Sequence, residues 1–199
     1  MKFLYFLGFL CVFMRDTAAL PSLKAIPADH VLKATFTQHR YLRGIPKPIQ
    51  SQGELLLWSG KGLIWKTKAP FPSTILLTTK GLYQRDEGQK VPMIKAAQGG
   101  HEGALFDMLS KILNGSFSEL KGFTMVSMPP SQGKWKVVLT PTQPALKEFI
   151  SSIEVEGEES ISHLIIYRTS GDKDEIFVQN QMILESNSLS LAEKKGFDE

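Results

Sequence analysis

The chain is almost without cysteine: one stands among 199 residues, Cys11, inside an apolar N-terminal run. Residues 20–199 therefore carry no thiol, which excludes a disulfide framework, a thiolate nucleophile and a cysteine-ligated zinc there. Charge of one sign is lacking as well. The formal net charge is +3, too weak to argue for a nucleic-acid partner. The longest charged stretches, Gly171-Asp172-Lys173-Asp174-Glu175 and Glu193-Lys194-Lys195, mix signs and read as a solvated turn and tail. His30, His39, His101 and His163 form no HExxH pair, and the GxSxG elbow, the GxxxxGK[ST] phosphate loop and a GxGxxG fingerprint are all missing. The carboxylate pairs Glu158-Glu159 and Asp172/Asp174 fall in turn-like sequence, where solvation accounts for them. The expectation is a protein that is not an enzyme and uses no metal and no cofactor. The alternative is a catalytic site gathered from scattered residues.

Long hydrophobic runs are also absent, with one exception. Phe3 to Met14 is almost unbroken apolar sequence, preceded by Lys2 and closed by Arg15 and Asp16. Its length suits the roughly 7–15 residues of a signal-peptide core and falls short of the roughly 20 that span a bilayer. Thr17-Ala18-Ala19 then places small side chains ahead of Leu20. Residues 1–19 are read as a cleavable signal peptide and residues 20–199 as a single exported, soluble domain; an N-terminal anchor or a buried helix is the alternative. Cys11 does not suit lipidation, because Gly8-Phe9-Leu10 offers no small residue directly before it.

What remains is rich in strand sequence. Thr35 to Leu42, Gly53 to Trp58, Leu63 to Thr67, Thr74 to Thr79 and Leu82 to Arg85 are short apolar or β-branched runs punctuated by Gly, Pro and Lys. Phe123 to Met128, Trp135 to Thr140, Ser152 to Glu156, Ser162 to Arg168 and Glu175 to Asn180 follow, with Ser170-Gly171-Asp172-Lys173 as a hairpin turn. Strands that follow one another directly predict an antiparallel sheet. Helices are predicted over Ala28 to Lys33, over His101 to Leu113, where the helical spacing stops at Asn114-Gly115, and over Ala145 to Phe149. The fold class is α+β, mainly antiparallel β. Leu55-Leu56-Leu57-Trp58, Ile75-Leu76-Leu77 and Leu164-Ile165-Ile166-Tyr167 break strict alternation. Two explanations stay open: strands covered on both sides, or a curled sheet whose concave face lines an apolar cavity.

A series of short motifs resembles the LolA family of periplasmic outer-membrane lipoprotein carriers, in the looser sense of a LolA-like protein. The series is Thr35-Phe36-Thr37-Gln38, Ser51-Gln52-Gly53-Glu54-Leu55, Gly62-Leu63-Ile64-Trp65 with Pro70 beyond it, and Thr74-Ile75-Leu76-Leu77 ending at Gly81. Val137-Val138-Leu139-Thr140-Pro141, Leu146-Lys147-Glu148-Phe149 and Ile153-Glu154-Val155 continue it, so that it spans about Ala25 to Val178. The resemblance implies an open, curved half-barrel with helices covering its concave face. It further implies a periplasmic monomer that binds the acyl chains of a lipoprotein or other lipidated molecule and shuttles it from an inner-membrane exporter toward an outer-membrane acceptor. A lipid- or lipoprotein-sensing regulatory module is the second function compatible with it.

Matching to the family, with period two along each strand, assigns Leu55, Leu57, Leu63, Trp65 and Leu76 to the lipid-binding cavity. The helix carrying Leu105, Met108, Leu109 and Ile112 becomes the lid, with Gly99, Gly100 and Gly103 on one side and Asn114-Gly115 on the other as hinges. One departure from the family is plain. Its lipoprotein carriers end the second strand in an arginine-proline pair whose arginine holds the lid shut; Ser59-Gly60 stands here. The resemblance is thus to a carrier whose cargo extends to other acylated molecules.

Overall fold

The computed structural model describes Leu23 and residues 25–78, 81–86, 89–95, 101–131 and 133–198. Residues 1–19, read above as a signal peptide, and Gly99-Gly100 lie outside them. The first half of the chain forms β1 (His30–Tyr41), β2 (Ile49–Trp58), β3 (Gly62–Ala69), β4 (Ser73–Thr78), β5 (Gly81–Asp86) and β6 (Gln89–Lys95). The helix α1 (His101–Leu113) follows. The second half contributes β7 (Phe123–Ser131), β8 (Lys134–Pro141), the short α2 (Pro144–Lys147), β9 (Ile150–Gly157), β10 (Ile161–Arg168), β11 (Lys173–Glu185) and α3 (Leu191–Asp198).

All eleven strands belong to one antiparallel sheet in the order β6-β5-β4-β3-β2-β1-β11-β10-β9-β8-β7. Each half is a meander, and the two halves join where β1 pairs with β11, Phe36 opposite Val178 and Gln38 opposite Ile176. The outermost strands β6 and β7 do not pair with each other, so the sheet is an open, curved half-barrel. Its inner face buries one large apolar cluster drawn from both halves, Leu57 and Leu63 from one and Val137, Ile153 and Ile166 from the other. A smaller cluster lies on the outer face, where α3 lays Phe197 against Val31, Leu56 and Leu189, with Trp58 edge-on at 5.5 Å. Of the strands with unbroken apolar runs, β2 and β4 are thus covered on both sides, by α1 within and by α3 without, whereas the outward Ile165 and Tyr167 of β10 are only partly buried and lie outside the outer cluster.

The sequence over Ala28 to Lys33 is not helical. Residues 28–29 turn and β1 begins at His30. Pairing decides this: Val31 faces Trp58 on one side and Leu184 on the other, and no single helical turn offers comparable burial at both flanks. The Glu193-Lys194-Lys195 stretch is no loose tail either. Ser190 and Glu193 form a capping box, Ser190 N–H donating to Glu193 Oε2 at 2.8 Å and Glu193 N–H to Ser190 Oγ at 3.2 Å, and α3 starts there. Pro92 masks strand β6 in the sequence; at the edge of a sheet that proline is tolerated.

Candidate functional site

The inner face is built by alternation. In β2, Leu55 and Leu57 point inward, and their cross-strand partners Trp65 and Leu63 in β3 share that face. Leu57 is 1% and Leu63 0% exposed. Phe36 enters from β1 and its ring lies 4.0 Å from that of Trp65, tilted by 30°. Two glycines make room for large rings on this face. A Cβ on Gly53, opposite Phe36, would sit 2.9 Å from the Phe36 ring, and one on Gly157, opposite Trp135, would sit 2.6 Å from the indole. Trp135 in turn meets Phe117 edge-to-face at 6.2 Å.

Leu76 takes the other side. It pairs with Ile64, which belongs to the outer cluster, whereas Ile75 pairs with Trp65 and Leu77 with Leu63. The turn after β3 through Pro70-Phe71-Pro72 fixes the register of β4 one residue away from the family-based match, and in a strand one residue exchanges the faces. Leu76 is buried, but Ile75 and Leu77 are the β4 residues that border the concave cluster. Beyond β4, the inner face uses the alternation Trp135, Val137, Leu139 of β8, a period-two signal plainly visible in the sequence.

Helix α1 lies against this face and buries Met108, Leu109, Ile112 and Leu113 in the same cluster, Ile112 completely. The side chain of Leu105 falls outside the described residues. The helix closes with two paired hydrogen bonds, Gly115 N–H to the Ile112 carbonyl at 2.8 Å and Ser116 N–H to the Lys111 carbonyl at 2.9 Å. Gly115 adopts φ 72, as this C-terminal motif requires.

Crevices flank the helix on either side. One of about 230 Å³ separates Asp107, Ser110, Lys111 and Asn114 from the β2–β3 turn at Ser59-Gly60-Lys61 and from Leu77-Thr78. The other, about 200 Å³, separates Asp107, Met108 and Lys111 from Phe123, Gln143 and Leu146. Ser59, at the position matched to the family's arginine, thus lines the seam beside the helix. In the same seam Asn114 donates to Ser116 Oγ at 2.9 Å while its buried Oδ1 has no hydrogen-bond partner among the described residues.

The far end of the inner face is sealed by charge. Asp174 of β11, 2% exposed, follows the apolar positions Val178 and Ile176 in the inward alternation. Its Oδ1 accepts from Gln38 Nε2 at 2.8 Å and Arg40 Nε at 2.7 Å; its Oδ2 accepts from Arg168 Nε at 2.9 Å and Nη2 at 2.7 Å. Burial alone would raise this carboxyl, but Arg40 and Arg168 outweigh it and hold it below the ordinary carboxylate range. On the outer face, His163 stacks on Phe177 at 4.6 Å and bridges Glu156 and Glu175 at 3.3 and 3.1 Å. Among the described residues no group of three or more His, Cys, Asp and Glu is arranged to hold a metal ion. None of their helices is long and apolar enough to cross a membrane.

No protein-family model matches the sequence, and no curated protein matches it. Solved structures do show similarity. A LolA superfamily protein from Nitrosomonas europaea aligns over 87% of this chain and 91% of its own, at 10% identity and a TM-score of 0.45. The MucA/MucB complex from Pseudomonas aeruginosa aligns over 85% of this chain at 9% identity and a TM-score of 0.45, and this chain spans 56% of that partner's length. An outer-membrane lipoprotein-sorting protein domain from Vibrio parahaemolyticus aligns over 84% and 92% at 9% identity and a TM-score of 0.41.

Proposed function

We propose that the chain is an exported, periplasmic carrier that takes an acyl chain of a lipid or lipidated protein onto the concave face of its sheet when α1 moves aside. One observation carries the reading. The part of the concave face that α1 covers is apolar, and α1 is bordered by crevices rather than by continuous packing. An acyl chain would take the place of Met108, Leu109, Ile112 and Leu113. The carrier hands its cargo from an inner-membrane exporter to an outer-membrane acceptor. It works by binding and not by chemistry, for the part of the face under α1 is hydrocarbon and the one buried carboxylate among the described residues is tied to two guanidinium groups.

The magnitudes suit exchange. A chain of about sixteen carbons releases roughly 12 kcal/mol on burial, at about 0.8 kcal/mol per methylene. The four α1 side chains, at roughly 1.5–3 kcal/mol each, give up about 6–12 kcal/mol when displaced. The two nearly balance, so cargo is both taken up and released without an external energy source at this step.

The test is uptake of a fluorescent sixteen-carbon acyl probe by Leu57→Glu and Leu63→Glu, with circular dichroism to establish that each variant is folded. Both are expected to lose uptake, and hydrogen exchange in the wild type is expected to show α1 amides losing protection as the probe binds. Unchanged binding by both folded variants, or α1 protection unmoved at saturation, overturns the proposal.

A further inference from the structure

A second hollow lies on the opposite, convex face, and its origin is a fault in the sheet. Between β1 and β11 the pairing runs from Lys33 opposite Met182 to Thr35 opposite Gln179. Ala34 alone thus spans the two residues Asn180 and Gln181, a β-bulge. Asn180 sits at φ 52, the only non-glycine residue at positive φ among those described, a conformation that costs an L-residue energy and concentrates at binding and catalytic sites. Its Nδ2 donates to Thr35 Oγ1 at 2.9 Å, and Gln181 Nε2 is drawn away to the Ile161 carbonyl at 2.8 Å.

Beside the bulge the surface drops into a hollow of about 390 Å³, within the roughly 300–1,000 Å³ of small-molecule sites. Leu56, Ile64 and Met182 supply its apolar lining, and α3 walls one side through Glu193. Met182 is 54% exposed, a large apolar side chain left in water at the site.

Lys33 and Lys66 face Glu54 and Glu193 around the hollow, and both carboxylates are engaged. Glu193 is spent on Lys33, Oε1 to Nζ at 2.8 Å, and Glu54 is spent on Lys68. That leaves Lys66, which lines the hollow, is exposed and has no ion-pair partner among the described residues. Asn180 keeps a second amide hydrogen at the other side of the hollow, with β2 and β1 between it and Lys66.

We propose that this convex-face hollow is a binding site for a small amphiphile with one anionic group, a medium-chain carboxylate. The hydrocarbon lies along Leu56, Ile64 and Met182, and the carboxylate meets Lys66. The site is separate from the concave face, since the sheet itself stands between them, and it borders the Lys33–Glu193 pair that fastens α3. Occupancy would therefore be felt at the C-terminal helix.

The experiment uses the full chain with methionine methyls labelled by carbon-13 and sodium decanoate as the probe. The Met182 methyl is expected to shift with saturation and Lys66→Gln to abolish that shift, whereas any shift of Met108 reports uptake on the concave face and is expected to be unaffected by Lys66→Gln. Lys66→Gln and Met182→Glu, both at exposed positions, are each expected to weaken decanoate binding at least tenfold by calorimetry. Decanol is expected to bind the wild type at least tenfold more weakly than decanoate, and to bind wild type and Lys66→Gln alike. A shift of Met108 without Met182, undiminished affinity in either variant, equal affinity for decanol, or no binding of decanoate overturns the proposal.

Discussion

Phe36 rests its ring over the bare backbone of Gly53, the residue directly across the β1–β2 ladder, and from there reaches the Trp65 ring at 4.0 Å. The inner face is thus shaped by an absent side chain as much as by those present. A methyl group at Gly53 would lie 2.0 Å from the Lys66 carbonyl oxygen and 2.9 Å from Phe36. Since the first of these is backbone, rotamer changes do not relieve it. Gly53→Ala is expected to destabilise the fold by about 2–3 kcal/mol, read as a lower urea midpoint with unchanged slope. A midpoint equal to that of the wild type would show that the strands separate without cost.

Asp174 gives a pH dependence with a definite sign. Its folded-state pKa is depressed by Arg40 and Arg168 against the opposing effect of burial. Its contribution is therefore complete above the unfolded value of about 3.9 and is lost as pH falls through the lower folded value. Asp174→Asn is expected to cost about 3 kcal/mol at pH 7, near the lower end for one partner removed from a buried pair, because Arg40 stays partly in water. Denaturation from pH 7 down to 3 checks this: the gap between wild type and variant holds above about pH 5 and narrows below about pH 4. A gap that widens in acid contradicts the assignment.

The end of α1 is the place to alter exchange without touching the apolar face. Gly115 holds φ 72 and closes the helix, and a Cβ there would come 3.1 Å from Leu23. Gly115→Ala is expected to loosen the helix end by about 1 kcal/mol, which raises the rate of acyl-probe uptake roughly fivefold when helix displacement limits it. Stopped-flow fluorescence measures this; a slower or unchanged rate means that the helix does not open from this end.

Ser59 permits the opposite change. An arginine at this position would stand in a seam that already contains Asp107, Glu119 and the unpartnered Asn114 Oδ1, three acceptors for a guanidinium. Ser59→Arg is expected to slow probe uptake severalfold and to protect α1 in hydrogen exchange. Faster uptake would mean that the side chain at 59 turns away from the helix.

The parts of this fold that were legible in the sequence are those specified locally. Helix α1 shows in the spacing of Met108, Leu109 and Ile112 and in the Asn114-Gly115 stop, both properties of the segment itself. Leu55, Leu57, Leu63 and Trp65 share one face because alternation within one hairpin determines that much, and it was the family match that assigned this face to the concave side. Leu76 does not, for its face depends on how the chain turns after β3, which alternation within β4 cannot reveal. The segment 28–33 has helical spacing but gains more by lying between two strands distant in sequence, β2 and β11. Helix α3 had a signal that charge composition obscured, Ser190 three residues before Glu193 with Phe197 one turn on. The grip on Asp174 adds Gln38 and Arg40, more than 130 positions away, to Arg168 of the same hairpin, and the distant half has no local signature.

The outermost strand β7 carries Pro129-Pro130 near its end. Both lie in the irregular stretch between Met128 and Ser131, and neither has a backbone N–H to offer a neighbouring strand. A second copy attempting to extend the ladder there would find a rung missing. The open edge of the half-barrel is thereby blunted against growth into a fibre.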